Sequence, residues 1–322
     1  MKNTPPAEKD PWTECMLRGE FAHAWAISDA ALRERKGVPC WHWPRHFQYL
    51  WDGTPLAGKR VLVRCYHGLG DTIQFARFLA PLRQIAREVI VWAQPTLIPL
   101  LENVAGVDRL LPLHDGVPEV ACDVDVEIME LAHVFRVTPE MLSARVPYLS
   151  AGSAEWVRTR LGPDELAVGL VWRAGDWDLR RSLKLEQLEP LSRVRGVRWF
   201  SLQETSEPEL RWAEDGPVVP VTKLTEAVCA MDLVITVDSL AAHLAGALGV
   251  QTWTLLPREP DWRWMRDRED SPWYPTMRLW RQRRDGDWAD VVKRVAAELS
   301  VMTARGEGTA ERERVQSLGP AR

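Results

Sequence analysis

The first motif with chemical potential follows an early apolar run. Gly68, Gly70 and Asp71 come directly after VLVRC (61–65) and open a segment with helical spacing. Two glycines allow a sharp turn and a close approach of the backbone to a ligand. Asp71 would then stand at a helix N-terminus, aimed into a crevice. The alternative is a tight strand-to-helix turn in which Asp71 only caps the helix.

The second motif has the same position after a later strand. Asp238 and Ser239 follow LVITV (233–237), and His243 lies in the run LAAHLAGALG (240–249) that comes next. Ser239 is the predicted helix cap, and the free N–H groups and dipole of a helix N-terminus suit a diphosphate. His243 lies one turn further, on the same face as Ser239. A well-capped helix with a partly buried histidine is the alternative.

A cationic segment follows a third apolar run, LAVGLVW (166–172). Trp172 ends the run, Arg173 follows it, and Arg180, Arg181 and Lys184 come soon after. Arginine suits bidentate contacts with phosphate groups. The segment is therefore a candidate phosphate-binding loop, and a solvated charged loop is the alternative.

Asp123, Asp125 and Glu127 resemble a metal-binding pair of aspartates but alternate with valine residues. Alternation is typical of a half-exposed strand, so we interpret them as its polar face. We expect no metal site.

A loop rich in tryptophan and proline spans 257–275. Such a loop either forms the wall of a ligand pocket or packs against the domain beside it and stabilises that domain.

These motifs require a particular set of elements. Short apolar strands alternate with helical segments from residue 59 to 150 and again from 151 to 287, which predicts two α/β domains with parallel sheets. Ligands bind such sheets at the carboxyl ends of the strands, so the cleft between the domains is the expected site. Residues 1–58 are predicted to form a helical cap and a connector, 288–302 a helix that crosses back over the cleft, and 303–322 a disordered tail.

Composition excludes several classes of protein. The chain has 322 residues with 41 Lys and Arg against 45 Asp and Glu, and the absence of a basic excess disfavours a nucleic-acid partner. No apolar stretch approaches the roughly 20 residues of a membrane span, and the first residues lack the apolar core of a signal peptide. Five scattered cysteines indicate free thiols and a cytoplasmic location. The composition does not decide whether the protein associates peripherally with a membrane surface.

Four strings, in their order along the chain, resemble the bacterial glycosyltransferase family 9, which includes the ADP-heptose:lipopolysaccharide heptosyltransferases. They are HGLGDTIQFARFLAPL, VGLVW, MDLVITVDSLAAHLAGALG and DWRW…DSPWYPTMRLWRQ. The resemblance covers roughly residues 50–300. The segment from Gly19 to Leu32 resembles half of a tetratricopeptide repeat, as in members of the family that carry such repeats.

The resemblance implies the GT-B architecture, two Rossmann-like domains that face a cleft, with the donor held mostly by the second. It implies that Asp71 is the general base, that Asp238, Ser239 and His243 contact the donor diphosphate, and that Gln203 lies near the nucleoside. Asp71 is thus the candidate catalytic residue. The candidate donor-binding residues are Gly68, Gly70, Trp172, Arg173, Arg181, Gln203, Asp238, Ser239 and His243. His67, Arg173 and Asp176 depart from the family's usual residues close to the pocket.

We therefore predict a glycosyltransferase that needs no cofactor or metal and takes a nucleotide-diphosphate sugar as co-substrate. Its acceptor is a glycan or a protein. The alternatives are an inactive GT-B module that binds nucleotide or glycan, and a dinucleotide-dependent oxidoreductase. The full GxGxxG motif with a following acidic residue is absent, which disfavours the oxidoreductase. Sequence does not determine the donor base, the sugar, the stereochemical outcome or the oligomeric state.

Overall fold

A computed structural model describes residues 10–142, 146–204, 210–216 and 219–305. Two separate parallel sheets organise these residues, and all their strand pairs are parallel. The strands are β1 Arg60–Arg64, β2 Glu88–Ala93, β3 Arg109–Pro112, β4 Val124–Glu127, β5 Leu166–Val171, β6 Val197–Ser201, β7 Glu214–Asp215, β8 Leu233–Val237, β9 Thr252–Leu256 and β10 Met277–Arg281. The predicted α/β class with two parallel sheets is confirmed.

The first sheet has the order β3-β2-β1-β4, and the second has the order β10-β9-β8-β5-β6-β7. Their central strands, β1 and β8, are almost entirely buried, as expected for strands covered on both faces. The glycine-rich motif follows β1 and the Asp238 motif follows β8. Both motifs therefore lie at the carboxyl end of a central strand. The β10 strand was not predicted, since Arg278 and Arg281 interrupt its apolar pattern.

Twelve helices connect and cover these strands in the described residues. They are α1 Pro11–Leu17, α2 Phe21–Arg35, α3 Leu69–Phe75, α4 Leu79–Ile85, α5 Ile98–Leu101, α6 Leu131–Val134, α7 Pro139–Leu142, α8 Glu155–Arg158, α9 Glu189–Ser192, α10 Val221–Ala230, α11 Leu240–Leu248 and α12 Trp288–Arg305. In this part of the chain, no helix is both long and apolar enough to cross a membrane. All five cysteines are free, as predicted.

Proline breaks two helices that the apolar spacing predicts as continuous. The stretch 71–87 is divided into α3, a 3₁₀ turn at Ala76–Phe78 and α4, with Pro81 in the first turn of α4. The stretch 183–194 likewise becomes a 3₁₀ turn and the short α9, which has Pro190 near its start. Proline lacks an amide proton and clashes with the preceding turn, but it fits the first turn of a new helix.

The N-terminal helices α1 and α2 pack together around Gly19 and dock on both halves of the molecule. Trp25 Nε1 donates to the Val137 carbonyl at 2.8 Å. Trp12 meets Trp262 edge to face, with ring centroids 5.2 Å apart. The pair thus bridges the first domain and the aromatic loop of the second, and its likeness to a tetratricopeptide repeat stays a prediction.

The last helix, α12, lies within the second domain. Its buried side chains pack in the core of the second sheet with residues such as Leu166 and Leu170; they are Trp288, Val291, Val292, Val295 and Leu299. This differs from the crossover predicted for 288–302, because the apolar face of the helix is covered by the second sheet and by α9. The helix continues to Arg305, and the rest of the predicted tail lies outside the described residues.

Candidate active site between the two sheets

The two sheets meet through helices α3 and α11, which begin at the two motifs. The contact is close at Gly70, where an added Cβ would lie 2.7 Å from His243 Cδ2. A side chain at position 70 would therefore force the helices apart, and glycine is required by this approach.

A cavity of about 190 Å³ lies beside this contact. Its lining residues come from both domains and include most of the predicted site. Its lining is Gly68, Leu69, Gly70, Asp71, Gly175, Trp177, Arg181, Asp238, Ser239, Leu240, His243, Asp261 and Arg263. We call it the interdomain cavity. Among the described residues, no group of three or more His, Cys, Asp and Glu is arranged to hold a metal ion.

Asp71 has two different partners at its two carboxylate oxygens. Oδ2 accepts from the Gly68 backbone N–H at 2.8 Å and so closes the first turn of α3. Oδ1 forms an ion pair with the guanidinium of Arg263. The carboxylate therefore has both the capping role and an electrostatic partner from the second domain.

Arg263 was missed by sequence reasoning, although it lies in the DWRW string. Its guanidinium is buried and also donates to Asp261 Oδ1 at 2.8 Å and to Gln74 Oε1 at 2.7 Å. Despite burial, the Asp261 and Asp71 charges keep the pKa of Arg263 above its ordinary range. A charged, immobilised guanidinium thus faces the cavity from a loop whose sequence indicates only an aromatic character.

Asp238 and Arg181 form a second charged group in the cavity. Arg181 Nη1 donates to the Asp238 carbonyl at 2.9 Å and lies 3.6 Å from its carboxylate. The Trp177 ring covers the guanidinium, with 3.9 Å between the Arg181 Cζ and the ring centroid. Burial, with the nearby Asp261 charge, raises the pKa of Asp238 to about 6, and the Arg181 charge opposes that rise.

His243 is buried at the base of the same cavity. Its Nδ1 lies 3.0 Å from the Tyr274 hydroxyl, its Nε2 lies 4.0 Å from Asp238 Oδ1, and its ring stacks on Trp264. Burial lowers the pKa of His243 well below its ordinary value, and the charges of Arg263, Arg77 and Arg181 act in the same direction. The imidazole is therefore neutral at neutral pH.

Ser239 occupies the N-cap position of α11, and its hydroxyl lies 3.1 Å from the Thr236 hydroxyl. No side-chain capping bond forms at this helix start. The Ala242 N–H donates to the Ser239 carbonyl at 3.1 Å. The Leu240 and Ala241 N–H groups, which precede it, have no acceptor within the helix, and Ser239 and Leu240 line the cavity.

Three predicted residues do not line the interdomain cavity. Trp172 is buried in the core of the second sheet, while Arg173 is exposed in the turn that follows β5. Gln203 Oε1 accepts from the backbone N–H groups of Trp172 at 3.3 Å and Arg173 at 2.8 Å. In this arrangement Gln203 holds the turn after β5.

A larger cavity, of about 780 Å³, lies beneath α2. Its walls come from α1, α2, the connector, the first domain near β1 and β4, and the aromatic loop of the second domain. They include Trp12, Trp25, Trp43, Phe47, Tyr49, His67, Phe75, Glu127, Met129 and Trp262. We call it the aromatic cavity. Its aromatic residues are scattered along the chain, and no local signal in the sequence unites them.

Glu127 corrects the sequence interpretation of β4. Asp125 is partly exposed, but Glu127 is only 6% exposed and lines the aromatic cavity. Its carboxylate accepts from the Met129 N–H at 2.6 Å and the Tyr66 N–H at 3.4 Å. Burial raises the pKa of Glu127 to about 8; the Met129 hydrogen bond opposes this rise and the Glu130 charge adds to it. The residue is therefore not part of a solvated face.

Solved structures share this architecture. The chain matches Escherichia coli ADP-heptose lipopolysaccharide heptosyltransferase II with a TM-score of 0.58 and 14% identity, over 77% of this chain and 99% of that one. It matches a family 9 glycosyl transferase from Veillonella parvula with a TM-score of 0.51 and 13% identity, over 70% of this chain and 87% of that one. The chain has the fold of these glycosyltransferases.

A further structural match is the iron-containing dodecameric glycosyltransferase TibC of enterotoxigenic E. coli. The TM-score is 0.51 and the identity is 12%, over 78% of this chain and 76% of that one. In sequence, the chain is 26% identical over 327 residues to protein FlbA of Caulobacter vibrioides, covering 85% of this chain. It spans about half the length of that curated relative, 50%. No family model matches the chain.

Proposed function

We propose that this chain transfers a sugar from a nucleotide-diphosphate sugar to an acceptor hydroxyl, with Asp71 as general base. One observation carries the proposal: a carboxylate from the first sheet shares a cavity with a helix N-terminus and two arginines from the second. A sugar transfer needs a base on the acceptor side and positive charge on the leaving-group side. The shared fold with family 9 glycosyltransferases supports this assignment.

In the proposed reaction, Asp71 takes the proton of the acceptor hydroxyl while the acceptor oxygen attacks the anomeric carbon of the donor. The bond between that carbon and the diphosphate oxygen breaks, and the nucleoside diphosphate leaves with the electron pair. Arg181 and the free N–H groups of α11 stabilise the negative charge on the leaving group. These groups supply that charge from the protein itself, which is the basis for proposing metal-independent transfer.

Arg263 has a second part in this mechanism. Its guanidinium pairs with the Asp71 carboxylate and fixes the position of that group at the cavity wall. A bound diphosphate offers Arg263 another anion in the same cavity, and the guanidinium can then share its charge with the donor. The cavity of about 190 Å³ is below the roughly 300 Å³ of small-molecule sites, so a whole nucleotide-diphosphate sugar would extend beyond it.

The first test is a thermal-shift screen of the chain against nucleotide sugars, since a ligand that binds the folded state raises its apparent stability. With the donor identified, Asp71→Asn is expected to lower turnover about 10²–10⁴-fold, with little change in donor affinity. Asparagine keeps the size and the capping ability of aspartate. Asp115→Asn, an exposed carboxylate elsewhere in the first domain, is the matched control and should transfer at the wild-type rate. Wild-type turnover in Asp71→Asn would remove this residue from the mechanism.

A second candidate function is an inactive GT-B module that binds nucleotide or glycan. The observation in its favour is the ion pair with Arg263, because it engages the carboxylate of Asp71, the proposed base. An assay of hydrolysis and transfer of the donor that the screen identifies separates the two functions, because a module binds a nucleotide sugar but neither hydrolyses nor transfers it. In both cases His243→Ala should weaken donor binding, which isothermal titration calorimetry on the folded variant would measure. We also propose that the chain is cytoplasmic and that its acceptor is a glycan or a protein.

A further inference from the structure

Trp177 stands at an opening of the interdomain cavity. It is one of the residues that line this cavity, yet 74% of its surface is exposed to solvent. An indole gains a large apolar contact area when a flat group packs on it, and this area is unused in the chain alone. Because a whole donor would extend beyond the cavity, the part that lies outside has to pass such an opening.

The Trp177 ring is held from one side only. Its inner face lies on the guanidinium of Arg181, with 3.9 Å between Cζ and the ring centroid. Arg181 is buried, and it donates to the Asp238 carbonyl at 2.9 Å and to the Gly175 carbonyl at 3.5 Å. The ring therefore rests on a cation whose position is fixed. Its outer face is open to solvent and can receive a second flat group.

The strand order of the second sheet arranges the groups of the site side by side. The sheet has the order β10-β9-β8-β5-β6-β7, and neighbouring parallel strands lie about 4.8 Å apart. Their carboxyl ends share one edge of the sheet. Arg263 follows β9, Asp238 follows β8 and Trp177 follows β5. Trp177 and Arg263 therefore lie on opposite sides of the Asp238 motif.

The first domain determines the direction in which a donor lies along this edge. Asp71, the proposed base, pairs with Arg263 and so lies on the β9 side. The transferred sugar has to face Asp71, and the diphosphate has to lie beside Arg181 and the start of α11. The nucleoside is joined to the far end of the diphosphate. It therefore extends away from Asp71, towards the turn after β5 and the outer face of Trp177.

The opposite direction is closed by buried side chains. On the β9 side, Trp264 is fully buried and stacks on His243. Arg263 is buried as well and donates to Gln74 of α3 at 2.7 Å. A nucleoside directed this way would have to displace the side chains that join the two domains. The β5 side, where Trp177 is exposed, requires no such displacement.

We infer that Trp177 stacks on the nucleobase of the donor. The inference rests on the proposed function, because that function determines which end of the donor faces Asp71. Every base has a flat π-face, and loss of one contact between a base and an aromatic side chain weakens binding about 5- to 150-fold. Trp177 is thus a nucleotide-binding residue that touches no reacting atom. The 17 tryptophans of the chain include at least one whose role is in the ligand site and not in the core.

The test compares ligands with and without a base. The probes are inorganic pyrophosphate, the diphosphates of adenosine, guanosine, uridine and cytidine, and the nucleotide sugar that the thermal-shift screen identifies. Isothermal titration calorimetry measures their Kd on the full chain and on Trp177→Ala and Trp177→Phe. Trp41→Ala is the matched control, because Trp41 is also exposed and lies over the guanidinium of Arg64 but lines neither cavity.

We expect Trp177→Ala to raise the Kd of the nucleoside diphosphates that bind at least tenfold and to leave the Kd of pyrophosphate unchanged. Trp177→Phe keeps a flat ring and should recover part of the affinity, while Trp41→Ala should bind like the wild type. In a transfer assay, Trp177→Ala should raise the KM for the donor and leave kcat nearly unchanged, since the base makes the same contact in the ground state and the transition state.

Three results would overturn the inference. An equal loss of affinity for pyrophosphate and for the nucleoside diphosphates would mean that the ring acts only by holding Arg181. A loss confined to the complete nucleotide sugar would place the ring against the sugar. Wild-type affinity for every probe in folded Trp177→Ala would show that the ring contacts no part of the donor.

Failure of the proposed function gives a different pattern. If Trp177→Ala loses affinity for nucleoside diphosphates as expected but the wild type neither hydrolyses nor transfers the donor, the proposed transfer is refuted and the stacking role stands. If the wild type transfers the sugar and Trp177→Ala binds the donor equally well, the stacking role alone is refuted. If the wild type binds no nucleoside diphosphate and no nucleotide sugar, both are refuted.

Discussion

Arg263 is the side chain whose loss should test the site most directly. Its guanidinium joins Asp71 and Gln74 of the first domain to Asp261 of the second. Arg263→Met keeps an apolar stem of similar length but removes every donor. Two carboxylates and one amide oxygen would then lose their partner inside the domain interface.

The size of the effect follows from the burial of the partners. Removing one member of a buried ion pair costs about 3–5 kcal/mol, since the remaining charge is left uncompensated. The Asp71 and Asp261 side chains are each 22% exposed, so water can solvate part of their charge. We therefore expect a loss near the lower end, about 3 kcal/mol of unfolding free energy. Arg263→Lys keeps the charge but not the fork of donors, and it should lose less.

Urea unfolding followed by tryptophan fluorescence and by far-UV circular dichroism would measure this loss. Coincident transitions allow a single free energy to be assigned. Arg193→Met is the control, because Arg193 pairs with Glu189 at 3.8 Å where both side chains are more than half exposed; such a pair contributes about 0–1 kcal/mol. If Arg263→Met unfolds within about 1 kcal/mol of the wild type, the value of an exposed pair, the ion pair does not hold the interface, and the reasoning fails.

Two further predictions concern the core and the pH dependence. Gly246→Ala would bring a Cβ to 2.4 Å from the buried Tyr274 ring, whereas Gly152→Ala meets nothing within 4 Å; thermal unfolding should show a large loss for the first and almost none for the second, and equal effects would contradict the packing. The folded-state pKa of Glu127, about 8 against its ordinary 4.5, means that the folded chain keeps a proton that the unfolded chain loses. Stability should therefore fall as pH rises from about 5 to 8, by about 3–4 kcal/mol from this group. Glu127→Gln removes this contribution to the pH dependence of stability. If the difference in unfolding free energy between the variant and the wild type stays constant over this pH range, the prediction is wrong.

The sequence by itself determined the parts of the molecule that depend on local spacing. The runs at β1 and β8 are short, apolar and followed by glycine, aspartate or serine, which is enough to predict buried strands that end in ligand-facing turns. A parallel sheet places such turns at the carboxyl ends of its strands, and the cleft between two such domains is the expected site, so Asp71, Asp238 and Ser239 were predicted to line one cleft before any contact was known. The lengths of α3 and α9 were overestimated, because apolar spacing does not register where proline ends a helix.

Only the tertiary structure decided which distant side chains meet. Arg263 is 192 residues from Asp71 along the chain, and no periodic pattern connects them. Trp172 and Glu127 show the same limit. Trp172 precedes a cationic motif but is buried in the core of the second sheet. Glu127 alternates with apolar residues, as a residue on the exposed face of a strand does, but it lines a cavity. Local sequence sets backbone hydrogen bonding and the faces of helices and strands. Which faces cover one another depends on how the two sheets and the N-terminal helices pack, and the charge and volume of both cavities result from that packing.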